Sequence, residues 1–158
     1  MSVEIERKFI VADPDWAVGA EVIDVDDIVQ AYLCSERERS VRVRIRAKRA
    51  TLTIKGETQA FSRPEFEYAI PLEDARQLLQ LCGDLRLEKR RHRVRHGGRT
   101  WEVDVFDGRN AGLIIAEIEL GSSDEDFERP TWIGREVSDE PAFLNANLVR
   151  RPYADWQR

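Results

Sequence analysis

Charged side chains of one sign recur two positions apart in this sequence. Three pairs set the pattern: Glu4 with Glu6, Glu117 with Glu119, and Arg42 with Arg44. Side chains two apart on a β-strand share a face at roughly 7 Å, and like charges so placed repel unless opposite charge lies between them. Carboxylate oxygens are the ligands that Mg²⁺ and Mn²⁺ prefer, and guanidinium groups bind phosphate oxygens through paired N–H donors. The pattern therefore predicts a site that brings divalent cations and a polyanion together.

Charge is also unevenly divided along the chain, whose net charge is −5. Residues 36–63 carry nine Lys or Arg against three acids, and residues 86–99 carry seven against one. Residues 117–128 carry six acids and no base. Such a chain either brings anion-binding and cation-binding surfaces together or has several independent solvated faces.

Strand-like alternation runs through most of the sequence and favours the first alternative. In residues 41–46, arginines alternate with Val41, Val43 and Ile45. Alternation of the same kind is present at residues 3–11, 52–55, 65–70, 89–95, 101–105 and 117–120, and a short strand is expected around 30–33. Gly97-Gly98 is typical of a two-residue hairpin turn. With few helices between the strands, we expect an antiparallel meander of about eight strands.

Two helices are predicted, both short and peripheral. Residues 73–83 have an apolar stripe and end at Gly83. Residues 139–149 have Pro141 in the first turn and place Leu144 and Leu148 inward. At 158 residues, the chain is expected to form one domain over 1–158.

The charged strand faces are expected to point inward rather than to solvent. An ordinary half-buried sheet would turn its charged side to water. Solvent faces usually mix both signs, however, whereas here each strand is nearly pure in charge. A closed barrel of about eight strands lets Arg rows meet Glu rows and has an interior wide enough for one small ligand. We therefore predict an α+β, mainly β fold: an eight-stranded antiparallel closed β-barrel, or tunnel, whose apolar faces pack outward against a few short peripheral helices.

The segment Val3–Val11 resembles the amino-terminal ExExK strand of the CYTH superfamily, the triphosphate tunnel metalloenzymes. The resemblance continues in order along nearly the whole chain: Tyr32-Leu33, Arg42 and Arg44 (RxR), Leu52–Gly56 (LTxK), Arg63 with Glu65 and Glu67 (RxExE), Lys89 with Arg91 (KxR), Trp101–Phe106 (WExDxF), Gly112–Leu120 (GLxxAEIEL), and the closing segment Trp132–Val137 with Asn145 and Leu148. The closing segment is similar to that of the short bacterial members. The match identifies the chain as resembling the inorganic triphosphatase type.

The resemblance implies a tunnel fold, dependence on Mg²⁺ or Mn²⁺, and a triphosphate substrate. The expected metal ligands are Glu4, Glu6, Glu117 and Glu119. A second set could hold another metal, orient the attacking water or pair with the arginines: Glu65, Glu67, Glu102 and Asp104.

The expected phosphate ligands are Lys8, Arg42, Arg44, Lys55, Lys89 and Arg91, followed by Arg93 and Arg135. Only four of the 25 basic residues are lysines, and three of those four, Lys8, Lys55 and Lys89, fall at motif positions. We therefore expect Lys8 or Lys55 to stabilise charge on the leaving oxygen, with Tyr32 as a hydrogen-bond donor or acid.

The predicted reaction is metal-dependent hydrolysis of the terminal phosphoryl group of a triphosphate. Inorganic tripolyphosphate leads because the short chain has no evident insert for recognising a base or a thiazole. The alternatives are a class IV-type adenylate cyclase or a nucleoside or thiamine triphosphatase. A non-enzymatic polyphosphate-binding module is a third reading, but such a protein has no reason to crowd carboxylates around its ligand.

The expected cellular location follows from the absence of membrane, signal-peptide and disulfide patterns in the sequence. No apolar run is long enough to cross a bilayer, and the amino terminus has no signal-peptide pattern. Two cysteines without a metal-binding spacing favour a reducing cytoplasm. The negative net charge disfavours a nucleic-acid partner. We expect a cytoplasmic monomer or homodimer with a small-molecule triphosphate substrate, and neither a nucleic-acid nor a membrane partner.

Overall fold

The computed structural model describes residues 2–156 and contains eight antiparallel strands in one closed barrel. The strands are β1 Ser2–Ile10, β2 Glu21–Ser35, β3 Arg39–Arg46, β4 Arg49–Gly56, β5 Ser62–Ile70, β6 Arg86–His96, β7 Arg99–Phe106 and β8 Ile114–Glu119. Their order around the barrel is β1-β5-β4-β3-β2-β6-β7-β8. The predicted fold class is confirmed. The extreme ends of the predicted domain, Met1 and residues 157–158, lie outside the described residues.

The prediction of a simple meander is only partly right. Strands β2 to β5 and β6 to β8 do form meanders, but β1 lies between β5 and β8, and β2 pairs with β6. These long-range pairings close the barrel and leave neither meander with an open edge. They also place the paired glutamates of β1 directly beside those of β8, with Glu6 opposite Glu119.

The second strand is much longer than the short segment predicted around residues 30–33. It begins at Glu21 and runs for 15 residues. The prediction missed the first half of this strand because that half is rich in aspartate, which is depleted in strands. In the structure, Asp24 pairs with Arg93 at 2.7 Å and Asp26 pairs with Arg46 at 2.6 Å, so neighbouring strands supply the opposite charge.

The hairpin between β6 and β7 turns at Gly97-Gly98, as predicted. Both glycines have positive φ, 58° and 74°. This conformation costs glycine no steric energy and suits a two-residue turn. The tight turn fixes the register that places Arg91 opposite Asp104.

The apolar strand faces point outward, and one of them is covered by helix α1 (Leu72–Leu81). Ala75 and Leu79 of α1 pack on a buried cluster that includes Ala31, Val43 and Ala50. Gly83, with φ of 58°, follows the helix end. The prediction of a peripheral helix here is confirmed within two residues.

A second apolar face is covered by irregular chain rather than by a helix. Phe9, Trp101 and Ile118 belong to a buried cluster that also includes Trp16, and Trp132 packs against it. The aromatic rings meet edge-on or tilted, with Trp16 and Trp132 centroids 5.6 Å apart. Large aromatic side chains bury enough area that a short irregular segment can cover a sheet.

The carboxyl-terminal segment is not the single helix predicted over 139–149. It forms a 3₁₀ turn at Pro141–Phe143 and a four-residue helix α2 (Asn145–Leu148), separated by Leu144 in an extended conformation. Upstream, residues 134–137 hydrogen-bond to β1, which pairs with β5 only over Ser2–Ile5. The segment thus follows β1 and brings residues 144–146 to the interior.

No helix within residues 2–156 is both long enough and apolar enough to span a bilayer.

Candidate active site

The charged strand faces enclose a cavity of about 230 Å³ to which all eight strands contribute. Its basic residues are Lys8, Arg42, Arg44, Lys55, Arg63 and Arg91. Its acidic residues are Glu4, Glu6, Glu65, Glu67, Glu102, Glu117 and Glu119. The remaining lining residues are Ser2, Tyr32, Ser40, Thr53, Leu144, Asn145 and Ala146. A cavity lined mainly by charges of both signs suits an ionic ligand rather than an apolar one.

One group of these charges is neutralised around Glu4. The Lys55 Nζ donates to both Glu4 carboxylate oxygens at 2.8 and 2.7 Å, and Arg63 Nε donates to Oε2 at 3.0 Å. Burial alone would raise the pKa of Glu4, but Lys55 and Arg63 lower it to about 2. Burial lowers the pKa of Lys55 despite Glu4. Glu4 is therefore ionised throughout the physiological range.

Lys8 lies between two carboxylates at longer range. Its Nζ is 3.4 Å from Glu6 and 3.5 Å from Glu117. Burial lowers the pKa of Lys8, but Glu117 and Glu6 outweigh burial and raise it above its ordinary value. Lys8 is thus held as a cation without a tight hydrogen bond to either carboxylate.

A second neutralised group, here called the Asp104 triad, consists of Lys89, Arg91 and Asp104. Arg91 donates two hydrogen bonds to Asp104, both at 2.8 Å, and Lys89 Nζ donates a third at 2.6 Å. The side chains of Lys89 and Asp104 are fully buried and do not line the cavity. Burial alone would raise the pKa of Asp104, but Arg91 and Lys89 hold it well below its ordinary range.

Two basic residues of the cavity, Arg42 and Arg44, have only neutral hydrogen-bond partners. Arg42 donates from Nη2 to Thr53 Oγ1 at 3.1 Å, and its buried Nε has no partner among the described residues. Arg44 donates from Nε to Gln30 Oε1 at 3.0 Å. Burial, Arg42 and Arg91 together lower the pKa of Arg44 to about 9. We call Arg42 and Arg44 the open arginine pair, because within residues 2–156 neither forms an ion pair.

Three acidic residues of the cavity likewise form no ion pair within the described part of the chain: Glu65, Glu67 and Glu119. Burial raises the pKa of Glu119, and Glu4, Glu6 and Glu102 raise it further. Burial also raises the pKa of Glu65. Lys55 lowers this pKa, and the negative charge of Glu4 raises it. Crowded carboxylates of raised pKa are sites where an added cation relieves repulsion.

The donor set fits a hard divalent cation, although the described residues do not already form a complete metal site. Within residues 2–156 there is no group of three or more acidic, histidine or cysteine side chains already arranged to hold an ion. The carboxylates of the cavity supply only oxygen ligands, which suits Mg²⁺ and Mn²⁺. Mg²⁺ commonly takes only one or two protein carboxylates and completes its shell with water and substrate phosphates. An incomplete protein site is therefore compatible with an ion that arrives with its substrate.

The sequence profile of the CYTH domain matches residues 2–153. The chain belongs to the CYTH family. An inorganic triphosphatase from Acetivibrio thermocellus is 42% identical over 158 residues, which span 99% of each chain. An inorganic triphosphatase from Nitrosomonas europaea is 32% identical over 152 residues, covering 92% of this chain and 96% of the relative.

Solved structures of similar proteins agree with the CYTH fold. The crystal structure of an inorganic triphosphatase superposes with a TM-score of 0.67 at 30% identity, covering 94% of this chain and 95% of the other. A protein from Pyrococcus horikoshii OT3 superposes with a TM-score of 0.58 at 20% identity over 76% of this chain and 80% of its own. The second likeness concerns the fold alone.

Most of the residues predicted from the CYTH motifs lie together in the cavity. These are the acidic residues Glu4, Glu6, Glu65, Glu67, Glu102, Glu117 and Glu119, the basic residues Lys8, Arg42, Arg44, Lys55 and Arg91, and Tyr32. Tyr32 is almost fully buried, and its hydroxyl accepts a hydrogen bond from Gln30 Nε2 at 3.3 Å.

Four predicted site residues are not placed at the cavity wall. Lys89 and Asp104, predicted to bind phosphate and metal, are bound to one another inside the Asp104 triad. Arg93 instead pairs with Asp24 on β2. Arg135 is paired with Glu140 and lies over the ring of Phe143, in the carboxyl-terminal segment. The alternation of side chains along a strand shows which residues share a face. It does not show which carboxylate on a neighbouring strand lies opposite each of them.

Several cavity residues were missing from the predicted site. Arg63 belongs to the recognised RxExE motif, and its place there was a usable signal. Ser40 and Thr53 share strand parity with their charged neighbours, but neutral hydroxyl groups carry no charge pattern. Residues 144–146 reach the cavity only because the helix predicted there is interrupted.

Proposed function

We propose that this chain hydrolyses the terminal phosphoryl group of inorganic tripolyphosphate in a reaction that requires Mg²⁺ or Mn²⁺. The observation that carries the proposal is the open arginine pair: a buried Arg42 and a half-buried Arg44, neither of which forms an ion pair within residues 2–156. A buried, uncompensated charge is costly, so its persistence points to an anionic ligand. The name inorganic triphosphatase, borne by relatives 42% and 32% identical over nearly the whole chain, supports this substrate.

In the proposed complex, Arg42 and Arg44 hold phosphate oxygens through bidentate N–H donors. The carboxylates that would hold the metal are Glu4, Glu6, Glu65, Glu67, Glu117 and Glu119. A bound divalent ion would supply charge neutralisation on the transferring phosphoryl group. Asp104 would serve this site indirectly, since its three hydrogen bonds hold Arg91 and Lys89 in place.

In the proposed reaction, water attacks the terminal phosphorus in line, the bond to the bridging oxygen breaks, and orthophosphate and pyrophosphate result. Lys8 and Lys55 are proposed to stabilise charge on the leaving oxygen. The long contacts of Lys8 leave its N–H donors available, and the lowered pKa of Lys55 makes it the better proton donor. Tyr32 is proposed to donate a hydrogen bond to the same substrate.

The direct test is a phosphate-release panel over tripolyphosphate, ATP, thiamine triphosphate and pyrophosphate, with Mg²⁺, with Mn²⁺ and with EDTA. We expect tripolyphosphate to be hydrolysed fastest and EDTA to abolish release. Cyclic AMP and pyrophosphate formed from ATP would identify a cyclase instead. Tight binding of tripolyphosphate without phosphate release under any metal would identify a polyphosphate-binding module.

The lysine roles are tested separately with Lys8→Arg and Lys55→Arg, which retain charge but alter shape and acidity. We expect at least one variant to lose most of its turnover while still binding tripolyphosphate. Turnover close to that of the unmodified chain in both variants would contradict the proposed roles.

We also propose that the chain acts as a single cytoplasmic domain, as a monomer or homodimer, without a nucleic-acid or membrane partner. Cys34 and Cys82 are both free thiols, which suits a reducing compartment. Size-exclusion chromatography with light scattering would give the oligomeric state.

A further inference from the structure

Gln30 is a neutral residue beside the charged cavity. It lies in β2, is fully buried, and stands directly opposite Arg44 on β3. It does not line the cavity and was not part of the predicted site. Its side chain nevertheless contacts two residues that do, Arg44 and Tyr32.

The orientation of the Gln30 amide is fixed by the chemistry of its partners. Arginine is only a donor, so the oxygen of Gln30 must face Arg44 Nε, at 3.0 Å. The amide nitrogen then faces the Tyr32 hydroxyl at 3.3 Å and donates to it. The hydrogen bonds therefore run in one direction, from Arg44 to Gln30 and from Gln30 to Tyr32.

This direction determines where the tyrosine proton points. The Tyr32 hydroxyl accepts from Gln30, so its own proton must be directed elsewhere. Among residues 2–156 no acceptor receives that proton, and Tyr32 lines the cavity. The proton is thus available to a ligand in the cavity.

The same contact affects the charge of Arg44. An amide oxygen satisfies one N–H of the guanidinium group, whereas a carboxylate at this position would also neutralise its charge. Arg42 likewise has a neutral partner, Thr53, but the buried contacts of the cations around Glu4 and Asp104 use carboxylates. Gln30 therefore differs from them in leaving the cation uncompensated.

Building on the function proposed above, we propose that Gln30 is a positioning residue for triphosphate binding. It holds Arg44 in place while leaving its charge for the substrate, and it turns the Tyr32 proton into the cavity. The residue acts through Arg44 and Tyr32 and does not itself touch the substrate.

The test uses Gln30→Glu, which preserves shape but gives Arg44 an ion-pair partner. Calorimetric titration with sodium tripolyphosphate in EDTA measures affinity without turnover, and thermal unfolding of the same samples measures stability. We expect affinity to fall by about tenfold or more, the scale of losing one charge-assisted hydrogen bond, while the melting temperature is unchanged or raised. The matched control is Gln77→Glu on the exposed face of α1, which adds the same charge and should leave affinity unchanged.

A second variant, Gln30→Met, removes both hydrogen bonds and tests the tyrosine arm. With tripolyphosphate and Mg²⁺, we expect Gln30→Met to lower kcat. In a Tyr32→Phe background the same substitution should lower kcat by a smaller factor, because residue 32 then has no hydroxyl proton for Gln30 to orient. An equal factor in both backgrounds would overturn this arm. If Gln30→Met does not fold, the pH profile of kcat for Gln30→Glu replaces it, and a profile identical to that of the unmodified chain overturns the arm.

The outcomes separate this proposal from the function on which it rests. An unmodified chain that neither binds nor hydrolyses tripolyphosphate overturns both. An unmodified chain that binds tripolyphosphate, with Gln30→Glu binding it equally well, overturns the role of Gln30 alone. A changed melting temperature with unchanged affinity would show that Gln30 is purely structural and would also overturn it.

Discussion

The Asp104 triad and the open arginine pair lie in the same barrel under opposite electrostatic conditions. In the triad, one fully buried carboxylate receives three hydrogen bonds from two cations. In the open pair, two cations donate hydrogen bonds only to neutral side chains, those of Thr53 and Gln30. Both groups descend from the same sequence pattern of basic residues two apart, on β6 and β3.

The difference shows how one kind of strand can serve both stability and binding. A buried cation whose carboxylate is present is satisfied within the fold, and removing the carboxylate is strongly destabilising. A buried cation without one destabilises the fold until an anion arrives. Substitutions in the triad should therefore change stability first, and substitutions in the open pair should change activity first.

The largest expected effect is the loss of stability in Asp104→Asn. Lys89 would be left fully buried without a carboxylate partner, and Arg91 would keep only its pairs with Glu102 and Glu117. We expect the free energy of unfolding to fall by about 3–5 kcal/mol. Urea denaturation measures this. The control is Asp155→Asn, which breaks an exposed pair with Arg109 and should cost at most about 1 kcal/mol. Equal losses in the two variants would contradict a structural role for the triad.

Next in size is the loss of activity in Arg44→Met. We expect tripolyphosphate hydrolysis to fall by roughly 10²–10³, as when one donor to the transition state is removed, while stability is unchanged or improved. The matched control is Arg93→Met, on a lumen-facing position outside the cavity, which should retain most of the activity. If Arg93→Met lost as much activity as Arg44→Met, the distinction between cavity and paired arginines would be wrong.

The paired carboxylate Glu4 predicts a specific dependence of stability on pH. Its pKa falls from 4.5 to about 2 on folding, so its ionised form stabilises the fold fully above about pH 4.5, and this is lost as pH falls towards 2. The contribution is about 3 kcal/mol from the size of the shift. Unfolding is measured in EDTA at pH 6 and pH 3. Glu4→Gln should be clearly less stable than the unmodified chain at pH 6, and the difference in stability should be smaller at pH 3. A gap that does not change with pH would contradict this.

The smallest expected effect has the opposite sign and concerns the unpaired carboxylate Glu119. Its raised pKa means that ionisation is disfavoured in the fold, so stability is present at low pH and decreases as pH rises through that pKa. Glu119→Gln should therefore be slightly more stable at pH 7 without metal, by at most about 1 kcal/mol because the residue is exposed. Differential scanning calorimetry in EDTA measures this, and a lower melting temperature for Glu119→Gln would contradict it.

Parity along each strand was enough to predict most of the cavity wall. The alternation of Arg42 and Arg44 with apolar neighbours, and of Glu117 and Glu119 with theirs, indicated which side chains share a face. Parity did not distinguish Arg91, which reaches the cavity, from Arg93, which pairs with Asp24. The two residues occupy equivalent positions in the sequence, and only the partner strand differs.

The sequence by itself determined the strand count, the antiparallel barrel and the charge of its interior, because side-chain alternation and repulsion between like charges are properties of local sequence. Only the tertiary structure decided which cations are neutralised. That outcome depends on which side chains meet across neighbouring strands, which places Asp104 beside Arg91 across the β6–β7 hairpin but Gln30 beside Arg44 across β2–β3. It also decided that residues 144–146 reach the cavity, because the path of the carboxyl-terminal segment is set by its hydrogen bonds to β1.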